Sequence, residues 1–431
     1  MLRHIDVQER PPLGQSFLLS LQHLFAMFGS TVLVPTLLGV DPAVCLLMNG
    51  IGTLLYIWIS KGKIPAYLGS SFAFIAPATA VINHYAEKGE NGYPAALGGF
   101  IAAGVVFILV AWIVKVAGTR WINVVFPPAA MGAIVSVIGL ELIPVAAKMA
   151  GWISKDGDPN WHMDAKVVTL SVATLAVTVL GNVLLRGFLR IIPILLGIVF
   201  GYALAYAMGL TNFSSLDSRS FLEWPTFTSP TLDWTAIGTI ALASLVVIAE
   251  HIGHLVVTGN IVGRDLSKDP GLHRSMFGNG ISTLLSGFVG STPNTTYGEN
   301  IGVLALTRVY STFVIGGAAV LAIVLSCFGK FAGLIQNIPE AVMGGVSLLL
   351  FGVIAASGLR MLVESKVDYS RPTNLLLTTV VLVTGLSGVK IEIGDFSLSG
   401  MALATVVAIV LSLTFKLFEL LRWSNDEASG H

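Results

Sequence analysis

Charge is what this sequence has least of. Its 431 residues hold 24 Lys+Arg and 24 Asp+Glu, 11% in all, against 54% hydrophobic residues and a mean hydropathy of +0.82. A soluble domain carries about 25% charged residues, so a soluble globular protein is excluded. A chain that crosses a membrane many times is implied instead. The formal net charge of zero leaves no basic field for nucleic acid. Cysteine is nearly absent: Cys45 and Cys327 both sit in apolar stretches, which excludes a disulfide framework or a thiolate metal site and calls for no cofactor. A cleavable leader is not expected either, because the start is polar and the first apolar run is too long for one. The first span is expected to act as its own insertion signal.

What the sequence does have is long apolar runs. A spanning helix needs about 20 such residues, and that length predicts helices over 13–38, 43–60, 94–117, 124–146, 166–184, 188–211, 234–259, 273–290, 311–329, 339–362, 371–389 and 397–421. Two further segments, 65–83 and 290–308, are rich in Gly, Ser, Thr and Pro. Crossing in broken form, they bring the expectation to fourteen segments. With the N-terminus inside, that topology places seventeen Lys and Arg residues on the cytoplasmic side, from Arg3 to Arg422, and seven on the other, from Lys88 to Lys390. The excess obeys the positive-inside rule. The loop from Thr211 to Trp234 reads as an external linker and residues 425–431 as a disordered tail.

The chain also repeats itself at long range. Gln22-His23 matches Glu250-His251, and Asn49-Gly-Ile-Gly-Thr-Leu-Leu55 matches Asn279-Gly-Ile-Ser-Thr-Leu-Leu285. Gly69-Ser-Ser71 is paired with Gly290-Ser-Thr292, and Pro127-Pro-Ala-Ala-Met-Gly132 with Pro339-Glu-Ala-Val-Met-Gly344. Four matches in chain order point to two halves of one ancestral unit. Seven crossings per half is odd, so the second half must be inserted upside down. Inverted repeats with paired interrupted segments are the pattern of secondary transporters, whose sites form where the broken helices meet.

Two acids lie in this apolar frame. Glu250 sits mid-span in Leu245-Val-Val-Ile-Ala-Glu250-His-Ile-Gly-His254, and Glu299 ends the polar run from Gly290. A charge at bilayer depth costs about 2.5–3.5 kcal/mol on insertion scales, which makes each a functional hypothesis. Glu250 and His254 share one helix face; a structural pair bridging two helices is the alternative. Glu299 stands at an expected helix N-terminus, where a simple capping role is the alternative. His23 and His251 read as packing residues. Gly298 lets a ligand approach the main chain, and Ser70, Ser71 and Phe72 hold the equivalent place in the other broken segment. Two acids disfavour an inorganic anion, and the set is too small for Ca²⁺ or Mn²⁺. A small planar molecule with alternating N–H and C=O groups, such as a nucleobase, suits it best. An enzyme is not expected, since no nucleophile or metal-ligand set accompanies the acids.

These residues resemble the nucleobase-ascorbate transporters, and within them the bacterial uracil permease branch. The family signature appears as Glu299-Asn-Ile-Gly302-Val-Leu-Ala-Leu-Thr307-Arg308, with Ser20-Leu-Gln-His-Leu-Phe-Ala-Met-Phe28, Ile64-Pro-Ala-Tyr-Leu-Gly-Ser-Ser-Phe-Ala-Phe74 and Glu250-His-Ile-Gly-His254 also similar. The resemblance implies an all-α polytopic membrane protein of fourteen segments in two inverted sevens, with short strands in broken segments 3 and 10. It implies a core domain (1–122 and 213–330) and a gate domain (123–212 and 331–424) that also carries a homodimer contact. The implied activity is uracil:proton symport across the bacterial inner membrane, both termini cytoplasmic. Glu250, Glu299, Phe72, Gly298 and Tyr297 would bind uracil, with Glu250 and His254 coupling the proton. Phe351 stands where some relatives carry Tyr. A purine symporter and an anion carrier of the same fold are the alternatives.

Overall fold

The computed structural model describes residues 4–154, 161–213, 216, 219–393 and 396–424. Lys155 and the expected disordered tail, 425–431, lie outside the described residues. The first half runs α1 (Leu13–Ala26), α2 (Phe28–Leu38), α3 (Pro42–Ile59), β1 (Leu68–Ser70), a 3-10 turn (Phe72–Phe74), α4 (Ile75–Ala86), α5 (Tyr93–Ala117), α6 (Ile122–Val125), α7 (Pro128–Met149), α8 (Ala165–Leu184) and α9 (Pro193–Ala207). The second runs α10 (Trp234–Val262), α11 (Leu272–Val289), β2 (Asn294–Thr296), α12 (Gly298–Thr307), α13 (Thr312–Ser326), α14 (Gly329–Gln336), α15 (Glu340–Glu364), α16 (Pro372–Leu386), β3 (Lys390–Ile393), β4 (Phe396–Ser399) and α17 (Gly400–Leu420).

Local chemistry sets the helix ends. Asp41 caps α3 by accepting from Ala43 N at 3.0 Å, with Pro42 at the first helical position, and Asp233 caps α10 through Ala236 N at 2.7 Å. Gly263 closes α10 in the left-handed conformation that glycine adopts freely. Among the described residues, eight helices are long and apolar enough to span a membrane. A ninth span results if α13 and α14 count as one, although they meet at 89°; the expected helix 311–329 is α13, and the short α14 beyond it, Gly329–Gln336, lies outside the expected spans. The hairpin β3–β4, from Lys390 to Ser399, was not foreseen.

The two halves are related by a pseudo-twofold, and the packing shows it. Helix α3 packs on α13 as α11 packs on α5; α1 packs on α13 as α10 packs on α5. In the other group, α8 packs on α9 as α16 does on α17, and α15 on α8 as α7 does on α16. Exchange of the halves therefore maps the contact pattern onto itself. Equivalent elements meet across the axis: α7 on α15, α3 on α11, β1 on β2. They meet antiparallel. A side chain at Gly132, early in α7, would strike Leu362, late in α15, whereas one at Gly344, early in α15, would strike Ala150, just past the end of α7. An axis that reverses spanning helices lies in the membrane plane, so the repeat is inverted. The strands place Leu68 level with Asn294 in the repeat, so the sequence match of Gly69 with Gly290 is out of register: Gly290 precedes β2, while Gly69 lies inside β1.

Small residues let α7 and α15 approach closely, as membrane helices need in place of a hydrophobic drive. A Cβ at Gly139 would run into the Phe351 carbonyl and the Ala355 amide, both of them main-chain atoms. Gly139→Leu is expected to force these helices apart and destabilise the fold by about 1–3 kcal/mol, read as a lowered thermal midpoint of the purified protein.

Candidate binding site

Helix α10 delivers two functional candidates, Glu250 and His254, and a packing histidine from one apolar run. Its periodicity places Glu250 and His254 on one face and turns His251 about 100° away. His251 Nε2 pairs with Ser275 Oγ at 2.8 Å, and Ser275 Oγ lies 2.6 Å from Tyr56 Oη. That chain ties α10 to α3 and α11, a packing role as the sequence suggests. Glu250 and His254 remain half-buried, facing the broken segments.

The broken segments are joined by β1 and β2, which pair antiparallel with Leu68 opposite Thr296, Gly69 opposite Thr295 and Ser70 opposite Asn294. Ser71 N donates to Pro293 O at 2.8 Å and Tyr297 N donates to Tyr67 O at 3.1 Å, extending the ladder symmetrically at both ends. Each chain then turns at once into a helix. The 3-10 turn into α4 begins at Phe72, and α12 begins at Gly298. The first N–H groups of a helix have no partner within it. Among the described residues those of Phe72 and Gly298 have none elsewhere, so two main-chain donors with favourable dipole ends stand at the strand crossing.

The acids complete this arrangement. Glu299, the second residue of α12, stands at the helix N-terminus and is half-buried. Glu250 lies close enough for the two charges to interact. Its Oε2 is buried without a hydrogen-bond partner among the described residues. A buried acceptor left unmatched costs about 1–3 kcal/mol, a cost that a ligand donor would relieve. His254 does not bond Glu250: its Nδ1 pairs with Thr296 Oγ1 at 3.1 Å, because the ring turns toward β2 rather than along α10. Its Nε2 would lie 3.3 Å from a Cβ on Gly298, which is exposed. Glycine there keeps the main chain open to a ligand.

Tyr297 is placed differently from a ligand-facing residue. It is buried, its hydroxyl donates to Ser70 O at 3.1 Å, and its ring lies where a side chain on Gly69 would be. It braces the strand crossing. The Phe72 ring meets Phe351 edge to face at 5.8 Å and 86°, a contact between the broken segment and α15. Asn300 Nδ2 donates to His23 Nδ1 at 3.0 Å, tying the first turn of α12 to α1. Thr296 had no distinguishing mark in sequence, since its run also holds Thr292 and Thr295.

A family model described as "Permease family" matches residues 14–394. The chain belongs to this permease family. It is a multi-pass membrane transporter, not an enzyme. The permease is 62% identical over 424 residues to the uracil permease of Paenibacillus larvae, covering 98% of this chain and 99% of that one. It is 63% identical over 420 residues to the uracil permease of Escherichia coli K12, covering 97% and 96%. The uracil permease of Bacillus caldolyticus is 47% identical over 416 residues, covering 95% and 94%. Among solved structures, the transmembrane domain of a cyanobacterium bicarbonate transporter, BicA, superposes with a TM-score of 0.64 at 15% identity over 95% of this chain and 98% of that one. Murine Slc26a9, an anion transporter, gives 0.69 at 11% identity over 96% and 69%. Such likeness shows a shared fold, the inverted-repeat fold of these transporters.

The bracing role of Tyr297 is open to a paired test in the purified permease. Tyr297→Phe removes one hydrogen bond and is expected to cost about 1 kcal/mol of stability. Gly69→Ala drives a methyl into the ring and is expected to cost more, up to about 3 kcal/mol; thermal midpoints should fall in that order.

Proposed function

We propose that this permease takes up uracil together with a proton, by alternating access at the β1–β2 crossing. The observation that carries the reading is the pairing of opposite needs at one place. Two carboxylates that make no ion pair among the described residues stand beside two unmatched main-chain N–H groups. Uracil is a neutral ring whose N–H groups need acceptors and whose carbonyls need donors. Glu250 and Glu299 accept from its N–H groups, and Phe72 N and Gly298 N donate to its carbonyls. The names of the full-length relatives support the same cargo.

The fourteen segments sort into a core of 1–122 with 213–330 and a gate of 123–212 with 331–424. Packing supports the division, since α7, α8, α9, α15, α16 and α17 contact one another extensively and α3, α5, α11 and α13 form a separate group. The Phe72–Phe351 contact lies on the seam between them, where sliding would open or cover the ring. The excess of Lys and Arg on one side supports cytoplasmic termini in an inner membrane, and the gate is the surface proposed for a homodimer.

Glu250 carries the proton, with His254 one turn away as its exchange partner. The two are not hydrogen-bonded here, so the proton passes between them only after the ring of His254 turns or a water or ligand intervenes. One proton with neutral uracil moves one net charge inward, worth about 2.3 kcal/mol per 100 mV of membrane potential. An anion carrier on this fold is disfavoured by the same two acids.

In proteoliposomes with an imposed pH gradient, a proton co-substrate makes uracil accumulation rise as external pH falls. Glu250→Gln is expected to abolish that accumulation; retained accumulation with the wild-type pH dependence contradicts the coupling role. Glu299→Gln removes a charged acceptor and is expected to weaken uracil binding about 10- to 100-fold. Labelled uracil uptake competed equally by xanthine, guanine and uric acid would favour the purine reading.

A further inference from the structure

Helices α3, α5 and α11 end together at a cavity of about 610 Å³ that the transport site does not use. Three basic side chains stand at its rim. Lys115 is in the last turn of α5, and His273 and Arg274 are in the first turn of α11. They are close enough for the charges of Arg274 and Lys115 to reach His273. Arg274 is held in place by donating to the Ile59 carbonyl at 3.3 Å, at the C-terminal end of α3. Neither Lys115 nor Arg274 makes an ion pair among the described residues, and Asp269, the nearest acid in sequence to His273, is taken by Lys63 at 2.6 Å. Lys115 and Arg274 therefore place two positive charges at the rim with no protein counter-ion among the described residues, and His273 beside them offers a ring N–H.

Below the rim the cavity turns apolar. Ile108 is seven residues before Lys115 on α5, roughly 10 Å deeper at 1.5 Å per residue, and Phe277 lies one turn into α11. Trp58 and Trp112 flank the opening with 77% and 63% of their surfaces exposed. Exposed tryptophan marks the headgroup level of a bilayer. A cationic rim at that level above an apolar slot matches a molecule with an anionic head and a hydrocarbon tail. We propose that this cavity is a binding site for an anionic phospholipid, the phosphate meeting Lys115, His273 and Arg274 and an acyl chain lying against Ile108 and Phe277. Basic pockets between spanning helices hold anionic lipid headgroups by the same electrostatics. The lipid would join the ends of three core helices, and the site is independent of which solute the permease carries.

Thermal unfolding of the full-length permease in a neutral detergent, titrated with phosphatidylglycerol or phosphatidylcholine, tests it. Phosphatidylglycerol is expected to raise the midpoint at concentrations where phosphatidylcholine does not. Lys115 is exposed, so Lys115→Gln should fold; it is expected to shift the phosphatidylglycerol titration about fivefold, the equivalent of about 1 kcal/mol per basic residue. Lys115→Arg should leave the titration unchanged. Equal stabilisation by both lipids, or a Lys115→Gln titration that superposes on wild type, overturns the site. Stabilisation reproduced by glycerol phosphate alone makes it a pocket for free anions and overturns the lipid assignment.

Discussion

Three residue pairs hold the transporter's centre together. Main chain that is not helical cannot face hydrocarbon, because each unmatched N–H or C=O there costs several kcal/mol. The segments around Gly69 and Thr295 are rich in Gly, Ser, Thr and Pro, and each meets this constraint through the other and through hydroxyls beside it, Thr53 Oγ1 accepting from Leu68 N and Thr283 Oγ1 donating to Asn294 O. Main-chain bonds at Tyr67–Tyr297 and Ser71–Pro293 extend the three pairs at either end. Because the ladder ends where helices begin, the same constraint leaves the first N–H groups of Phe72 and Gly298 unmatched. The donors of the site are thus a by-product of breaking two helices symmetrically.

Symmetry is then broken by the acid-base residues. Gln22 on α1 and Glu250 on α10 are repeat partners, but only the second carries charge. His254 and Glu299 lie on the same side of the twofold, so the acid-base groups gather around the second broken segment. The first contributes a main-chain donor and an aromatic ring. On the proposed reading, that division would let a pseudosymmetric scaffold hold an asymmetric ring, with acceptors on one side and donors on both.

Glu250, Glu299 and the inverted repeat were legible in the sequence because each stands out against an apolar background. A carboxylate within Val-Val-Ile-Ala-Glu-His has few bland explanations, and repeated Asn-Gly-Ile runs survive where packing is tight. The partner of His254 was not legible. Residue spacing pointed to Glu250, one turn away, but spacing fixes only the helix face and not the rotation of the ring, which Thr296 determines across the fold. Tyr297 entered the implied uracil-binding set through the family resemblance, and spacing could not show that its hydroxyl donates to Ser70 O across the strand pair. Helix α14 is too short for a hydropathy window of spanning length, so only α13 is legible there.

The central claim is that one place, the β1–β2 crossing, supplies every polar contact to uracil. A structure of the permease with uracil bound tests it most directly. The account predicts the ring at the ends of the strand pair, within hydrogen-bonding distance of the Glu250 and Glu299 carboxylates and of the Phe72 and Gly298 N–H groups. Uracil bound away from the strand crossing, or there with both carboxylates unengaged, would contradict it.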